Sequence, residues 1–154
     1  MKEFTTYKNT SILSLDEKIL LQQISTLGNI GIEGENKGRT RIALTDDEKL
    51  GRDQIVTWMK ELDLDIKIDP IGNIFGTLYS NNKETQAFMM GSHIDTVKNA
   101  GALDGCYGVL AGLAVIRAFK DAKLVPSRPI TVVAFTNEEG VRYQPDMMGS
   151  LVFA

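Results

Sequence analysis

Apolar positions recur at helical spacing in the first third of the chain and at strand spacing further on, and this change of period predicts the order of elements. Leu15, Ile19, Leu20, Ile24 and Leu27 share one face of a helix over residues 15–29, expected to pack on the outside of the domain. Asn36-Lys37-Gly38-Arg39 reads as the loop that follows. Thr45, with Glu48 three residues on, has the form of a capping box. It opens a second helix with apolar positions Leu50, Ile55, Trp58, Met59 and Leu62, ending near Asp63. From Asp65 to Asp69 the period drops to two, Pro70 to Asn73 forms a turn, and Ile74 to Tyr79 resumes an extended pattern, which together predict a hairpin. Ala87-Phe88-Met89-Met90 is a short strand, Gly105 to Ala122 a third helix, and Ile130 to Phe135 a β-branched strand. Strand, helix, strand predicts a crossover and a parallel pair. The fold class expected is α/β, with parallel strands in a central sheet flanked by helices.

Length and charge narrow the class. The 154 residues suffice for one domain, and no repeat or linker-like run divides them. Seventeen basic against twenty acidic residues, without a basic stripe, point away from nucleic acid and anionic membranes and toward small solutes. The single Cys106 has no partner for an internal disulfide, and no charged start leads into an apolar run, so a cytoplasmic setting is expected. Apolar stretches fall short of the roughly 18 residues of a membrane span. Met147 to Ala154 is an apolar, helical segment without a capping glycine or charged last turn, so the chain is expected to be part of a longer protein.

The residues with chemical potential gather after the two predicted parallel strands, where open α/β sheets bind ligands. The chain's only histidine lies in Gly91-Ser92-His93-Ile94-Asp95-Thr96, followed by Asp104-Gly105 and then by Glu138-Glu139-Gly140. If the strands are parallel neighbours, His93 and the glutamate pair converge on one crevice. An imidazole with several carboxylates supplies metal ligands and a spare general base. Asp95 is placed to accept from the His93 nitrogen that is not on metal, which fixes the tautomer; a solvated turn or helix cap is its ordinary alternative. Asp104 reads as an N-cap for the third helix, a role that leaves lone pairs for a metal. Adjacent residues in a loop point different ways, so one glutamate can ligate while its neighbour moves a proton. Cys106 near His93 allows a Cys-His nucleophile, but that assignment leaves the carboxylates idle, and Cys106 reads as a packing residue. Met89, Met90, Met147 and Met148 read as core filler.

Taken together, His93-Ile94-Asp95-Thr96, Gly101-Ala102-Leu103-Asp104-Gly105-Cys106-Tyr107-Gly108, Asn137-Glu138-Glu139-Gly140 with Arg142-Tyr143, and Met147-Met148-Gly149-Ser150 resemble the dinuclear-metal amidohydrolase and peptidase family. Within it they are most like the N-carbamoyl-L-amino-acid hydrolase, β-ureidopropionase and allantoate amidohydrolase branch, from about Ser14 to Ala154. The resemblance implies that His93 binds one metal, Asp104 bridges two, and Glu139 binds the second. It implies that Glu138 is the general base and that Asp95 orients and tunes His93. Two divalent ions are implied, Zn²⁺ first, with Mn²⁺, Co²⁺ or Ni²⁺ suited to the same donors. The implied substrate is an N-carbamoyl or ureido acid, cleaved at a linear C–N bond with release of ammonia and carbon dioxide. The implied fold is the N-terminal part of a metallo-aminopeptidase-like catalytic domain. Residues 1–154 would then be an incomplete catalytic domain, and the lid and dimerisation domain of a homodimer would lie outside them. The family's two further histidine ligands, one in a His-x-Glu-Gln-Gly stretch, have no counterpart before Ala154. The alternatives are an aminoacylase or dipeptidase of the same family, and a non-catalytic remnant or interaction module that kept the fold.

Overall fold

The computed structural model of the chain describes residues 13–35, 37–81 and 85–154. Helix α1 (Glu17–Gly28) starts where the Asp16 carboxylate accepts the Ile19 amide at 2.9 Å. Its buried face carries Gln23, Leu27 and Gly28, with Leu20 and Ile24 packed against the core. Leu15 precedes the helix and is exposed, so the apolar stripe begins later than its spacing predicts. Strands β1 (Ile32–Glu33) and β2 (Gly38–Arg39) form a two-residue antiparallel ribbon where a loop is expected; Asn36 lies outside the described residues. Helix α2 (Asp46–Glu61) is capped by Thr45, whose hydroxyl accepts the Glu48 amide at 3.4 Å. The Glu48 carboxylate reaches past Thr45 to the Leu44 amide, at 3.2 Å. Ile55, Trp58, Met59 and Leu62 are buried as the spacing predicts, whereas Leu50 faces solvent.

Strands β3 (Asp65–Ile68) and β4 (Ile74–Leu78) make the predicted hairpin. Then follow β5 (Phe88–His93), α3 (Cys106–Asp121), β6 (Ile130–Phe135) and the short α4 (Met148–Phe153). The strand order is β3-β4-β6-β5, with β5 parallel to β6 and β4 antiparallel to it. The sheet is therefore mixed, with the expected parallel pair at one side. Strand β6 is central and reads as a continuous β-branched run because both its faces are covered: Val132, Val133 and Ala134 are at most 1 % exposed. Helix α3 approaches β5 and β6 closely through Gly112, where a Cβ would meet Val132 and Met90. Leu110, Leu113 and Ile116 of α3 join Ile55, Met59, Ile74 and Val132 in one core, each worth about 1.5–3 kcal/mol on burial. Met89 and Met147 are exposed rather than core filler, Met89 on the sheet's outer strand and Met147 at the turn into α4. Among the described residues no helix is long and apolar enough to cross a membrane.

Candidate metal centre

The parallel pairing of β5 and β6 sets His93 beside Phe135 in register, so the segments leaving both strands start at one edge of the sheet. His93 is the last residue of β5, which runs three residues beyond the expected end near Met90. Asp95 fastens the two segments together. Its carboxylate accepts the Glu138 amide through Oδ1 and the Glu139 amide through Oδ2, both at 3.2 Å. These bonds satisfy a carboxylate that is only 2 % exposed, which would otherwise be costly to bury.

His93 is oriented chiefly by the main chain. Its Nδ1 lies 2.9 Å from the Asp95 carbonyl oxygen and 3.6 Å from the Asp95 carboxylate, so the backbone carbonyl is the nearer acceptor. A proton on Nδ1 leaves the Nε2 lone pair for a ligand. Nε2 lies 3.4 Å from Glu138 Oε2. Burial opposes protonation of the ring, but the Asp95 hydrogen bond, the Asp95 charge and Glu138 outweigh it, so the pKa stands above its ordinary value.

Asp104 is not the N-cap of α3. Gly105 holds that position at φ 59° and ψ −46°, with no side-chain capping bond, while the Asp104 carbonyl accepts the Cys106 amide. The positive φ turns the backbone so that the Asp104 carboxylate is left for the site instead of the helix amides. A Cβ at Gly105 would fall 2.5 Å from both ring nitrogens of His93, so the imidazole rests against bare backbone.

His93, Asp104 and Glu139 each offer one ligand atom, all within 4.8 Å of one another. Burial first, and then the neighbouring Asp104 charge, push the Glu139 carboxyl above its usual range, with His93 acting the other way. Two carboxylates crowded beside one imidazole are what a divalent cation relieves, and the N/O donor set suits Zn²⁺, Mn²⁺, Co²⁺ or Ni²⁺. The residues present thus fit a metal. Cys106 does not compete as a nucleophile: it is fully buried, donates to the Ala102 carbonyl at 3.1 Å, and burial pushes its thiol pKa up.

Several supporting residues carried no signal in the pattern. Buried Asn73 accepts the Thr136 amide at 3.0 Å and donates to the Gly149 carbonyl at 2.9 Å, which joins the start of β4, the end of β6 and α4. Arg52 reaches the Thr136 hydroxyl at 3.2 Å and the Gly72 carbonyl. Asn137 takes φ 54° and donates to the Tyr143 and Pro145 carbonyls, and the Met147 amide donates to the Glu138 carbonyl, which brings the segment before α4 back to the end of β6. Arg142 is held within the chain, donating to the Leu44 carbonyl at 2.6 Å with its guanidinium 5.3 Å above the Tyr143 ring. Arg41, fully buried, was not singled out by the pattern either.

A mixed α/β sheet that gathers an imidazole and neighbouring carboxylates at adjoining strand ends has the layout of a metal-dependent hydrolase. Residues 73–154 match Peptidase family M28, and the chain belongs to that family. The N-carbamoyl-L-amino acid amidohydrolase of Geobacillus stearothermophilus is 37% identical over 135 residues, covering 88% of this chain and 33% of that enzyme. The allantoate deiminase of Arabidopsis thaliana is 38% identical over 99 residues, covering 63% of this chain and 19% of the other. A solved hydantoinase/carbamoylase family amidase from Burkholderia vietnamiensis superposes with a TM-score of 0.89 at 38% identity, covering 94% of this chain and 35% of that one. The chain spans about a third of the length of the first curated relatives it matches.

Proposed function

We propose that the protein containing this chain hydrolyses a linear carbamoyl C–N bond of an N-carbamoyl amino acid or a related ureido acid. The observation that carries the reading is the gathering of His93, Asp104 and Glu139 with Glu138 beside them, in a chain 37% identical to an N-carbamoyl-L-amino acid amidohydrolase. His93, Asp104 and Glu139 would hold the metal. Bound there, a divalent cation supplies Lewis-acid activation of water and of the carbamoyl oxygen. Glu138, whose side chain is 36% exposed, takes the proton from the attacking water and returns it to the departing nitrogen. Asp95 holds the Glu138 and Glu139 amides and, through its carbonyl, the His93 ring. The proposal further assigns Zn²⁺ to the site, residues 1–154 to part of the catalytic domain, and the whole protein to a cytoplasmic homodimer. The buried, unpaired Cys106 thiol supports the cytoplasmic setting.

The test is calorimetric titration of the metal-free chain with Zn²⁺ and Mn²⁺ beside a Glu139→Gln variant, followed by assay of an N-carbamoyl amino acid, an N-acetyl amino acid and a dipeptide with the whole protein. Saturable binding weakened in the variant, with turnover confined to the carbamoyl substrate, is expected. Preference for the acetyl substrate or the dipeptide would move the assignment to an aminoacylase or peptidase. Absence of metal binding by the whole protein would remove the metal centre.

A further inference from the structure

Arg41 is the largest fully buried side chain among the described residues, at 0 % exposure, and none of its hydrogen bonds goes to a carboxylate. Its Nη1 donates to the carbonyls of Leu27 and Ile30, at 3.2 and 3.1 Å, where α1 ends. Its Nε donates to the Ile94 carbonyl at 3.1 Å. The main chain doubles the link: the Arg41 amide donates to the Thr96 hydroxyl at 2.8 Å, and the Thr96 amide donates to the Arg41 carbonyl at 2.9 Å. Arg41 therefore grips residues 94 and 96, on both sides of Asp95, and Ile94, whose carbonyl it holds, directly follows His93. A guanidinium suits this task because its planar fork donates from separate nitrogens, here Nε and Nη1, in fixed directions, whereas the three donors of an ammonium share one nitrogen on a flexible stem.

We infer that Arg41 is a positioning residue for the metal centre: by anchoring the Ile94 carbonyl to the end of α1, it sets the turn from which the Asp95 carbonyl meets His93 Nδ1 and the Asp95 carboxylate meets the Glu138 and Glu139 amides. The inference rests on the reading of His93 as a metal ligand. A role confined to capping α1 would leave the His93 ring undisturbed when Arg41 is replaced. Burial pulls the guanidinium pKa below its ordinary value and the Arg39 charge adds to the fall, while the Asp104 and Asp95 carboxylates act the other way.

His93 is the only histidine in the chain, so its ring ¹⁵N resonances can be read directly in the 154-residue chain, without metal and at alkaline pH. The variants are Arg41→Lys, Arg41→Met and the control Met59→Ala, a fully buried core residue packed against Gly76 of β4. The parent chain is expected to give a single tautomer protonated at Nδ1. Arg41→Lys, the milder change, is expected to mix the two tautomers and to weaken Zn²⁺ binding roughly 10- to 100-fold, the range for residues that orient a ligand. Met59→Ala is expected to lower the unfolding temperature at least as far while keeping both the tautomer and the affinity. An Arg41→Lys chain with the parent spectrum and affinity would overturn the inference, as would a control that loses both to the same extent. If the parent itself binds no Zn²⁺, the metal reading fails, whereas the tautomer comparison still decides the role of Arg41.

Discussion

Replacing Gly105 by alanine tests the construction of the site with one methyl group. The new Cβ would fall 2.5 Å from both nitrogens of the His93 ring, where ordinary contact begins at 3.4 Å, so the ring has to retreat by about 0.9 Å. Its 2.9 Å bond to the Asp95 carbonyl does not survive such a shift, and metal sites tolerate ligand displacements of only about 0.2 Å. Alanine at φ 59°, ψ −46° adds backbone strain of about 1–3 kcal/mol, and the lost hydrogen bond about 1 kcal/mol more. The expected outcome is an unfolding temperature lower by roughly 2–4 °C for each kcal/mol, with Zn²⁺ affinity down by about 100-fold or more. Calorimetric titration and thermal unfolding of the metal-free chain measure both. Gly101→Ala is the matched control, because a Cβ there meets nothing within 4 Å. A Gly105→Ala chain that binds Zn²⁺ like the control, at the parent unfolding temperature, would refute the placement of His93 against this glycine.

In the whole protein, Glu138→Gln is expected to retain metal and lose turnover, whereas Asp104→Ala loses metal as well; metal analysis beside a turnover assay separates them, and near-normal turnover of Glu138→Gln would remove Glu138 as the base. Asp95→Asn exchanges one of two carboxylate acceptors for a donor that faces a backbone amide, which should cost about 1–3 kcal/mol and speed hydrogen exchange at Glu138 and Glu139; unchanged exchange would contradict the tie. Burial, partly offset by Arg52, raises the Glu48 pKa above 4.5, so the folded state favours the protonated acid. Its stabilising contribution is present below the ordinary pKa and is lost as pH rises through the folded value. The stability of the parent relative to Glu48→Gln should therefore fall between acid and neutral pH in urea unfolding, and a constant difference would contradict the shift.

Local rules made much of the fold legible. Thr45 ahead of Glu48 announced the start of α2 through the hydroxyl-to-amide bond it goes on to make, and the β-branched run of residues 130–135 marked β6 because that strand is covered on both faces. The strand, helix, strand order carried the parallel pairing of β5 with β6, and so the meeting of His93 with the glutamate pair. Properties that depend on distant backbone were not legible. The two-residue ribbon of β1 and β2 is too short to show a period. The antiparallel insertion of β4 beside β6 is a choice of partner that no window of sequence encodes. Asp104 ahead of a glycine looked like a helix cap, since aspartate is a common one, yet the positive φ of Gly105 takes the capping position and frees the carboxylate. Leu15 and Leu50 fit the helical stripe but fall outside the faces that α1 and α2 bury. Arg41 was missed because its partners are carbonyls at the end of α1 and in the turn after β5, which only the folded chain brings together.

The three donors come from three separate stretches: His93 from the end of β5, Asp104 from the turn before α3, and Glu139 from the segment after β6. An ion shared among them would be a removable cross-link as well as a reagent, closing two loops of the chain that the unfolded state leaves open. By linkage, saturation at a hundred times the dissociation constant would add about 2.7 kcal/mol to the folded state. Stripping the ion with a chelator would loosen the parallel pair that carries the site. Preparations that differ only in metal content would then differ in protease resistance and shelf life as much as in turnover, so occupancy has to be measured before any two samples are compared.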